Sequence, residues 1–247
     1  MSKQNFNKYD ALFFSPHIDD AIFSCGGLIL KLLKKKRKIA VVNIFTKAND
    51  HKLKTGSIKK ELKKYNFKSA KKLYSSRKRS EKEIAKKINI DVFFLDFEDG
   101  LFRKNKDEFL YPNYECLFSG KINKDEKDIF EKIKAKVLPY IENCNKKTEI
   151  YLPLGVGKHI DHIITKKVFK KLGKNLNTFL WEDVPYSNNI GQKEQTLNLS
   201  PNKIITLTDL EAKQKKQLCK MYKTQFIPSS KTSFSSINFY KEVIYKS

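Results

Sequence analysis

Residues 10–46 contain two apolar runs separated by a helical segment, and this pattern strongly limits the possible folds. Residues 10–15, DALFFS, form a short apolar run typical of a buried strand. Apolar side chains recur at helical spacing over residues 20–36. Residues 38–46, KIAVVNIFT, are largely apolar and rich in β-branched residues, which indicates a strand covered on both faces. A strand, a helix and a strand in this order predict one right-handed βαβ unit.

The alternation of strand and helix patterns continues along the chain. We predict further strands at 91–97, 149–155 and 177–183, and further helices at 76–87, 123–143 and 162–172. The lysine-rich residues 47–71 lack a clear period and are predicted to form a loop with some helix. This alternation predicts a Rossmann-like, three-layer α/β sandwich around a mostly parallel sheet. No repeat or linker divides the sequence, so we expect residues 1–247 to form a single domain.

The net charge of +24 makes nucleic acid, an anionic membrane surface or a phosphorylated molecule conceivable partners. Only four of the 51 basic residues are arginine. Proteins that read bases or grip phosphates depend on the arginine fork, whereas the lysines here are spread over every predicted helix. We therefore expect no specific nucleic-acid partner.

Cysteine spacing and hydropathy indicate the compartment. The four cysteines lie far apart without C-x-x-C spacing, which argues against a zinc knuckle and against a disulfide scaffold. No stretch approaches the roughly 18 apolar residues that a membrane-spanning helix needs. The first ten residues, MSKQNFNKYD, lack the apolar core of a secretion signal. We expect a cytoplasmic protein with reduced thiols and no membrane span.

Two clusters of histidine and aspartate follow predicted strands. Residues 17–20, HIDD, come after the first strand, and residues 159–162, HIDH, come after the strand at 149–155. Three of the four histidines lie in these two tetrapeptides. Because ligands of such sheets bind beyond the carboxyl ends of the strands, we expect both clusters at one site.

These residue types fit a catalytic metal site. His17, Asp20 and His162 would supply the three nitrogen or oxygen ligands that catalytic zinc commonly takes, leaving one position open. Asp19 is the natural general base, and His159 could donate a proton to an oxyanion or to a leaving amine. Such a set also accepts iron, cobalt or manganese. The alternative for a single cluster is a helix cap by Asp19 or Asp20, which leaves the second cluster unexplained.

The same segments resemble a known family. SPHIDDAIFSCGG resembles the first signature of the PIG-L/LmbE-like N-acetylglucosaminyl deacetylases, commonly A-H-P-D-D-E, with one branch reading S-P-H-x-D-D-A. HIDH resembles the second signature, H-x-D-H. Further segments are similar to later family elements over essentially the whole chain: RSEKEIAKKINI, LDFEDGLFR, FLWEDVPYS and KQLCKMYKTQF. Two positions depart from the usual first signature, since Ile18 replaces proline and Ala21 replaces glutamate.

The resemblance implies a zinc-dependent amidohydrolase that removes acetyl groups from N-acetylated sugars. It assigns the metal to His17, Asp20 and His162 and the general base to Asp19. His159 would stabilise the oxyanion or protonate the amine, and Asp161 would orient a neighbouring histidine. Further positions would hold the sugar or form the wall of the site: Arg79, Asp99, Arg103, Glu182, Asp183 and Tyr186.

The expected function is therefore hydrolysis of the acetamide of an N-acetylated amino sugar, a nucleotide sugar or a glycoconjugate, with Zn²⁺ as cofactor. One alternative keeps the fold and metal but acts on another acylated amine or amide conjugate. A second alternative is a basic polyanion-binding protein whose site has decayed.

Overall fold

The computed structural model describes residues 9–52, 54–126, 128–142, 144–173, 176–188, 199–225 and 237–247. The strands within these ranges are β1 Ala11–Ser15, β2 Ile39–Lys47, β3 Asp91–Glu98, β4 Lys104–Asn105, β5 Glu108–Phe109, β6 Glu149–Pro153, β7 Asn177–Trp181, β8 Lys203–Thr206 and β9 Lys241–Lys246. The α-helices are α1 Asp20–Lys34, α2 Gly56–Lys64, α3 Ala70–Ile88, α4 Tyr114–Leu117, α5 Ile129–Ile141, α6 Ile160–Leu172 and α7 Asp209–Met221.

Seven of these strands form one sheet in the order β3-β2-β1-β6-β7-β9-β8. The first five are parallel to their neighbours, whereas β9 runs antiparallel to β7 and β8 antiparallel to β9. The strand order reverses direction between β1 and β6, so the loops after these two strands open into the same crevice. The prediction of a mostly parallel, Rossmann-like α/β sheet is confirmed.

Helices cover both faces of the sheet, and β1 shows how its sequence serves both layers. Side chains alternate between the faces of a strand. Phe13 faces the cluster that contains α1 and α7 and stacks on Tyr151 with ring centroids 4.5 Å apart. Phe14 faces the opposite cluster, with α5 and α6, and its ring lies 4.5 Å from that of Phe169. All five residues of β1 are buried, which explains the unbroken apolar run.

The bounds of two predicted helices were wrong, for local reasons. The helix predicted at 123–143 is divided into a 3₁₀ turn at Lys124–Glu126 and α5, because Glu126 is buried against Arg103. The lysine-rich segment, predicted to form a loop with some helix, contains α2, which Thr55 caps by accepting the Ile58 N–H at 3.2 Å. Helix α3 begins six residues before the predicted start, where the Ser69 hydroxyl caps it.

The alternating pattern in the sequence did not predict the antiparallel strands β8 and β9 or the helix α7. The glycine pair of α1 packs against this part of the structure. A Cβ atom on Gly27 would lie 2.4 Å from Cδ1 of Leu207, so any other residue here would force the Leu207 side chain to move. The Glu242 carboxylate of β9 accepts hydrogen bonds from the backbone N–H groups of Gly27 and Leu28 at 2.7 and 2.8 Å, and it pairs with buried Lys215. The helix that begins at the first cluster is thus fixed from the C-terminal part of the chain.

Among the described helices, none combines the length and the hydropathy that crossing a bilayer requires.

Candidate active site

The loops after β1 and β6 meet at the crevice, and they bring three histidines together. The ring centroids of His17 and His159 are 4.7 Å apart, those of His17 and His162 5.2 Å, and those of His159 and His162 5.3 Å. A cleft of about 260 Å³ opens over them. The two tetrapeptides, 139 or more residues apart in sequence, therefore belong to one site.

His162 is completely buried, and its ring is oriented by Asp183. Its Nδ1 lies 2.7 Å from Oδ1 of Asp183, whose other oxygen accepts hydrogen bonds from the backbone N–H groups of Gly155 and Val156 at 2.6 and 2.8 Å. This contact places a hydrogen on Nδ1 and directs Nε2 towards Asp20. Nε2 has no well-aligned hydrogen-bond partner among the described residues, although it is buried.

The Asp20 carboxylate lies between the two other candidate ligands. Its Oδ2 is 3.1 Å from Nδ1 of His17 and 3.2 Å from Nε2 of His162, and it accepts the backbone N–H of His17 at 2.9 Å. Burial disfavours the charge on Asp20, but His162 and His17 hold its pKa well below the usual range. Burial likewise opposes a charge on His162, while Asp20 and Asp183 raise its pKa to about 9. The electrostatic potential between His17, Asp20 and His162 therefore favours a proton or a metal cation there.

Asp161 is the counterpart of Asp183 for the other candidate histidine ligand. Its Oδ2 lies 3.0 Å from Nε2 of His17 and accepts the Gly100 N–H at 2.9 Å, and its Oδ1 pairs with Arg103 at 2.6 Å. Burial opposes ionisation, but the Arg103 guanidinium holds the pKa of Asp161 well below its usual range. Asp161 therefore contacts a neighbouring histidine, the geometry that the family resemblance implies.

Asp19 differs from the other aspartates of the site. It lines the cleft, and within the described residues its carboxylate accepts no hydrogen bond from the protein. Burial and the neighbouring charge of Asp20 raise its pKa well above the usual range. Its backbone has φ 154° and ψ −30°, a combination that residues other than glycine rarely adopt. Strained conformations of this kind concentrate at functional sites.

His159 caps α6 and presents the other edge of its ring to the cleft. Its Nδ1 accepts the Asp161 backbone N–H at 3.1 Å, so the hydrogen of the neutral ring lies on Nε2. Burial and the nearby His17 lower the pKa of His159 well below its usual value. The ring therefore offers a neutral N–H donor to the cleft.

Of the six residues predicted to hold the sugar or form the wall, two line the cleft. Asp99 accepts hydrogen bonds from the Tyr74 hydroxyl at 2.6 Å and from the Leu101 N–H at 2.9 Å, and the ring of Tyr186 lies against His162. Asp183 instead lies behind the cleft, where it holds His162. Glu182 follows β7 and is not among the residues that line the cleft.

Neither of the two predicted arginines lines the cleft. Arg79 lies on the exposed face of α3, because it is two positions away from the residue that faces inward. That residue is Arg77, which lines the cleft and donates to Glu61 at 2.8 Å. Arg103 lies behind the cleft, where its guanidinium forms salt bridges with Asp161 and Glu126.

Several cleft residues were missed because they lie on α2, around α4 and at the end of α7. They are Glu61, Lys64 and Tyr65 from α2, Tyr114, Leu117 and Phe118 from the α4 region, and Gln225. The signal for α2 was present in the sequence, since Thr55 is a good cap and Ile58 and Leu62 share a helical face. Ile18 and Ala21, the two departures from the family signature, are both buried and neither lines the cleft.

The fold and the site together define a Rossmann-like α/β chain with a histidine–aspartate cluster at the crevice of its mostly parallel sheet. The model of the family described as GlcNAc-PI de-N-acetylase, PIG-L, matches residues 12–172. The chain belongs to this family, and the resemblance noted from the sequence is confirmed.

Individual relatives agree with this assignment. The chain is 24% identical over 195 residues to a 2'-N-acetylparomamine deacetylase of Niallia circulans, covering 74% of this chain and 69% of the relative. A deacetylase–bog complex from the biosynthesis pathway of teicoplanin superposes with a TM-score of 0.78 at 18% identity, covering 95% of this chain and 96% of that one. The zinc-inhibited form of teicoplanin deacetylase gives 0.77 at 18% identity, with the same coverage of both chains. These two structures share the fold.

Proposed function

We propose that this protein hydrolyses the acetamide of an N-acetylated amino sugar or of its conjugate. The observation that carries the proposal is the convergence of the two sequence clusters on one cleft, with Asp19 and His159 presented to it and His162 behind them. Membership of a family described as a de-N-acetylase supports the reaction type. The relative named for an acetylated paromamine supports an amino sugar as the substrate.

The residues present fit a divalent transition metal. His17, Asp20 and His162 would hold it, and buried Nε2 of His162, without a well-aligned partner among the described residues, is the atom whose chemistry a metal would complete. Asp161 and Asp183 orient the two histidines, as carboxylates behind metal-binding histidines commonly do. When bound, Zn²⁺ supplies a Lewis acid that lowers the pKa of water and polarises a carbonyl group. Three nitrogen or oxygen ligands with an open position match catalytic zinc sites.

Asp19 then carries out the proton transfers, and His159 stabilises the negative charge that forms. Asp19 accepts a proton from the attacking water, whose oxygen forms a bond to the acetyl carbon. The Nε2–H of His159 donates a hydrogen bond to the oxyanion of the tetrahedral intermediate. Asp19 returns the proton to the sugar nitrogen as the carbon–nitrogen bond breaks. The products are acetate and the free amine.

The walls of the cleft suit a sugar ring. The rings of Phe118 and Tyr186 have centroids 5.6 Å apart. The Arg77 guanidinium carbon lies 5.4 Å from the Tyr65 ring centroid and 4.9 Å from that of Tyr74. Aromatic faces pack against the apolar face of a pyranose, while charged side chains bind its hydroxyl groups. The cleft contains both kinds of group.

The test couples metal analysis to acetate release from a panel of N-acetylated sugars, nucleotide sugars and glycoconjugates. We expect acetate and amine in equal amounts, and loss of turnover after chelation. Asp19→Asn should retain the metal and lose about 10²–10⁴-fold in kcat, the usual contribution of a general base. A metal-loaded protein that releases acetate from no member of the panel would refute the proposal. Turnover of another acylated amine would instead support the alternative substrate class.

A further inference from the structure

The backbone of Asp19 is held in a costly conformation. A residue other than glycine with φ 154° and ψ −30° lies outside the main allowed regions. Without support from its surroundings, such a conformation would be populated less than the allowed ones, by a factor on the order of a few fold to a hundredfold. It persists only where the surroundings determine the conformation. The groups that hold this loop therefore determine where the Asp19 carboxylate points.

Local hydrogen bonds fix one side of the loop. The Ser15 hydroxyl donates to the His17 carbonyl at 2.6 Å and accepts the Ala21 N–H at 3.1 Å. The Asp19 N–H also donates to the His17 carbonyl, at 3.0 Å. These contacts hold the residues on both sides of the turn. None of them involves the carbonyl of Ile18, the residue directly before Asp19, which has a different hydrogen-bond partner.

That partner comes from the distant end of the chain. The Gln225 amide, 207 residues later, donates from Nε2 to the Ile18 carbonyl. Its orientation is set by Thr224, whose hydroxyl donates to Gln225 Oε1 at 3.0 Å and so directs Nε2 towards Ile18. The Gln225 N–H donates to the Tyr222 carbonyl at 2.9 Å, and buried Tyr222 is anchored in turn by its hydroxyl. The side-chain amide of Gln225 therefore lies on a turn that is itself held by hydrogen bonds.

We propose that Gln225 is a positioning residue for Asp19. By holding the Ile18–Asp19 peptide it directs the Asp19 carboxylate into the cleft, and Thr224 holds Gln225 in the orientation this requires. The inference rests on the proposed role of Asp19 as general base. Gln225 lines the cleft, but it is 7% exposed, and its carbonyl oxygen and one amide N–H are already engaged with the protein. These contacts favour a role through Asp19, and the split between kcat and KM tests it against a direct contact with the substrate.

The first test compares Gln225→Ala with Gln217→Ala, the same change at an exposed position of α7. We expect Gln225→Ala to lower kcat about 10–100-fold with KM within threefold, because small misplacements of a reacting group have effects of that size. Metal stoichiometry should stay at the wild-type value. Gln217→Ala should match the wild type. A rise in KM at unchanged kcat would overturn the proposal, since it would place Gln225 on the substrate.

A double-mutant cycle separates positioning from general damage. In the Asp19→Asn background the carboxylate base is already absent, so adding Gln225→Ala should lower the residual rate by less than about threefold. An equal loss in both backgrounds would show that Gln225 acts on the whole site and would contradict the proposal.

Thr224 provides a second pair of variants if Gln225→Ala fails to fold. Thr224→Val keeps the shape but removes the hydroxyl that orients the amide, whereas Thr224→Ser retains it. We expect a loss of kcat for valine and near-wild-type kcat for serine. Equal rates for the two variants would count against the proposal.

A readout without turnover distinguishes this inference from the proposed function. Hydrogen exchange of the peptide covering residues 15–22 should be about tenfold faster in Gln225→Ala than in Gln217→Ala, because one anchor of the loop is lost. If the wild type releases no acetate from any substrate, the proposed function fails while exchange still tests the anchor. Unchanged exchange would overturn the anchoring role even in an active enzyme.

Discussion

Replacing Asp183 by asparagine changes one atom of the site and should reverse the proton arrangement on His162. In the wild type, Oδ1 of Asp183 accepts from Nδ1 of His162 while Oδ2 accepts from the Gly155 and Val156 N–H groups. An asparagine oxygen satisfies the two backbone donors, which leaves its NH₂ group facing Nδ1. Nδ1 must then accept, and the hydrogen moves to Nε2, the atom directed at Asp20.

The expected cost follows from this rearrangement. A protonated Nε2 cannot serve as a metal ligand, so the favourable tautomer must be restored against the new hydrogen bond. Removal of a carboxylate behind a metal-binding histidine typically weakens metal affinity about 10–100-fold. That range corresponds to about 1.4–2.7 kcal/mol. Because the volume of the side chain is unchanged, the fold should survive the substitution.

The assay is competition for Zn²⁺ with a chromogenic chelator, followed by acetate release at rising zinc concentration. We expect weaker zinc binding for Asp183→Asn and partial recovery of turnover at high zinc. Asp107→Asn, the same change in the exposed turn between β4 and β5, should bind zinc like the wild type. Wild-type zinc affinity in Asp183→Asn would refute the assignment of His162 Nε2 as a ligand atom.

Two further predictions concern stability. Arg103→Met leaves two buried carboxylates without their cation, so we expect the free energy of unfolding to fall by about 3–5 kcal/mol in thermal or denaturant unfolding. The control Arg79→Met, on the exposed face of α3, should stay within about 0.5 kcal/mol of the wild type. Two lysines of α1 lower the pKa of Glu211 to about 2, from about 4.3 in the unfolded chain. Its folded pKa is depressed, so its contribution is present above about pH 4.3 and is lost as the pH falls through about 2. Glu211→Gln should therefore destabilise the protein by about 1 kcal/mol at pH 7 and not at pH 2, measured by urea unfolding at each pH.

Three strands of the parallel half, β1, β2 and β6, were predictable because they are buried on both faces, whereas β3 and β7 are partly exposed. The three buried strands read as largely apolar runs for this reason, and each matches its predicted strand to within a few residues. β8 gives a weaker signal, since it is an edge strand of four residues of which only Ile205 is buried. Short, exposed strands lack both the length and the periodicity that a sequence pattern requires.

The meeting of the two histidine clusters was also predictable, because it follows from topology alone. The direction of individual side chains was not. Whether Arg77 or Arg79 faces the cleft depends on the phase of α3, which the pattern of Leu73, Tyr74, Arg77 and Ile84 on its buried face could have indicated. That Asp183 holds His162, and does not line the cleft, depends on the turn after β7, which no local pattern reports.

The five aspartates around the cleft are chemically identical in sequence, and their surroundings separate them. Four accept hydrogen bonds from named protein groups and are thereby fixed as acceptors: Asp20, Asp99, Asp161 and Asp183. The pKa values of Asp20 and Asp161 lie well below the usual range, whereas burial and Asp20 raise the pKa of Asp19. Burial also raises the pKa of Asp99, but both oxygens of Asp99 accept hydrogen bonds from the protein. A carboxylate that must take up and return a proton needs a raised pKa and an oxygen that is not already engaged by a donor of the protein. Of the five, Asp19 is the one that meets both requirements within the described residues, and it is also the one whose backbone lies outside the main allowed regions.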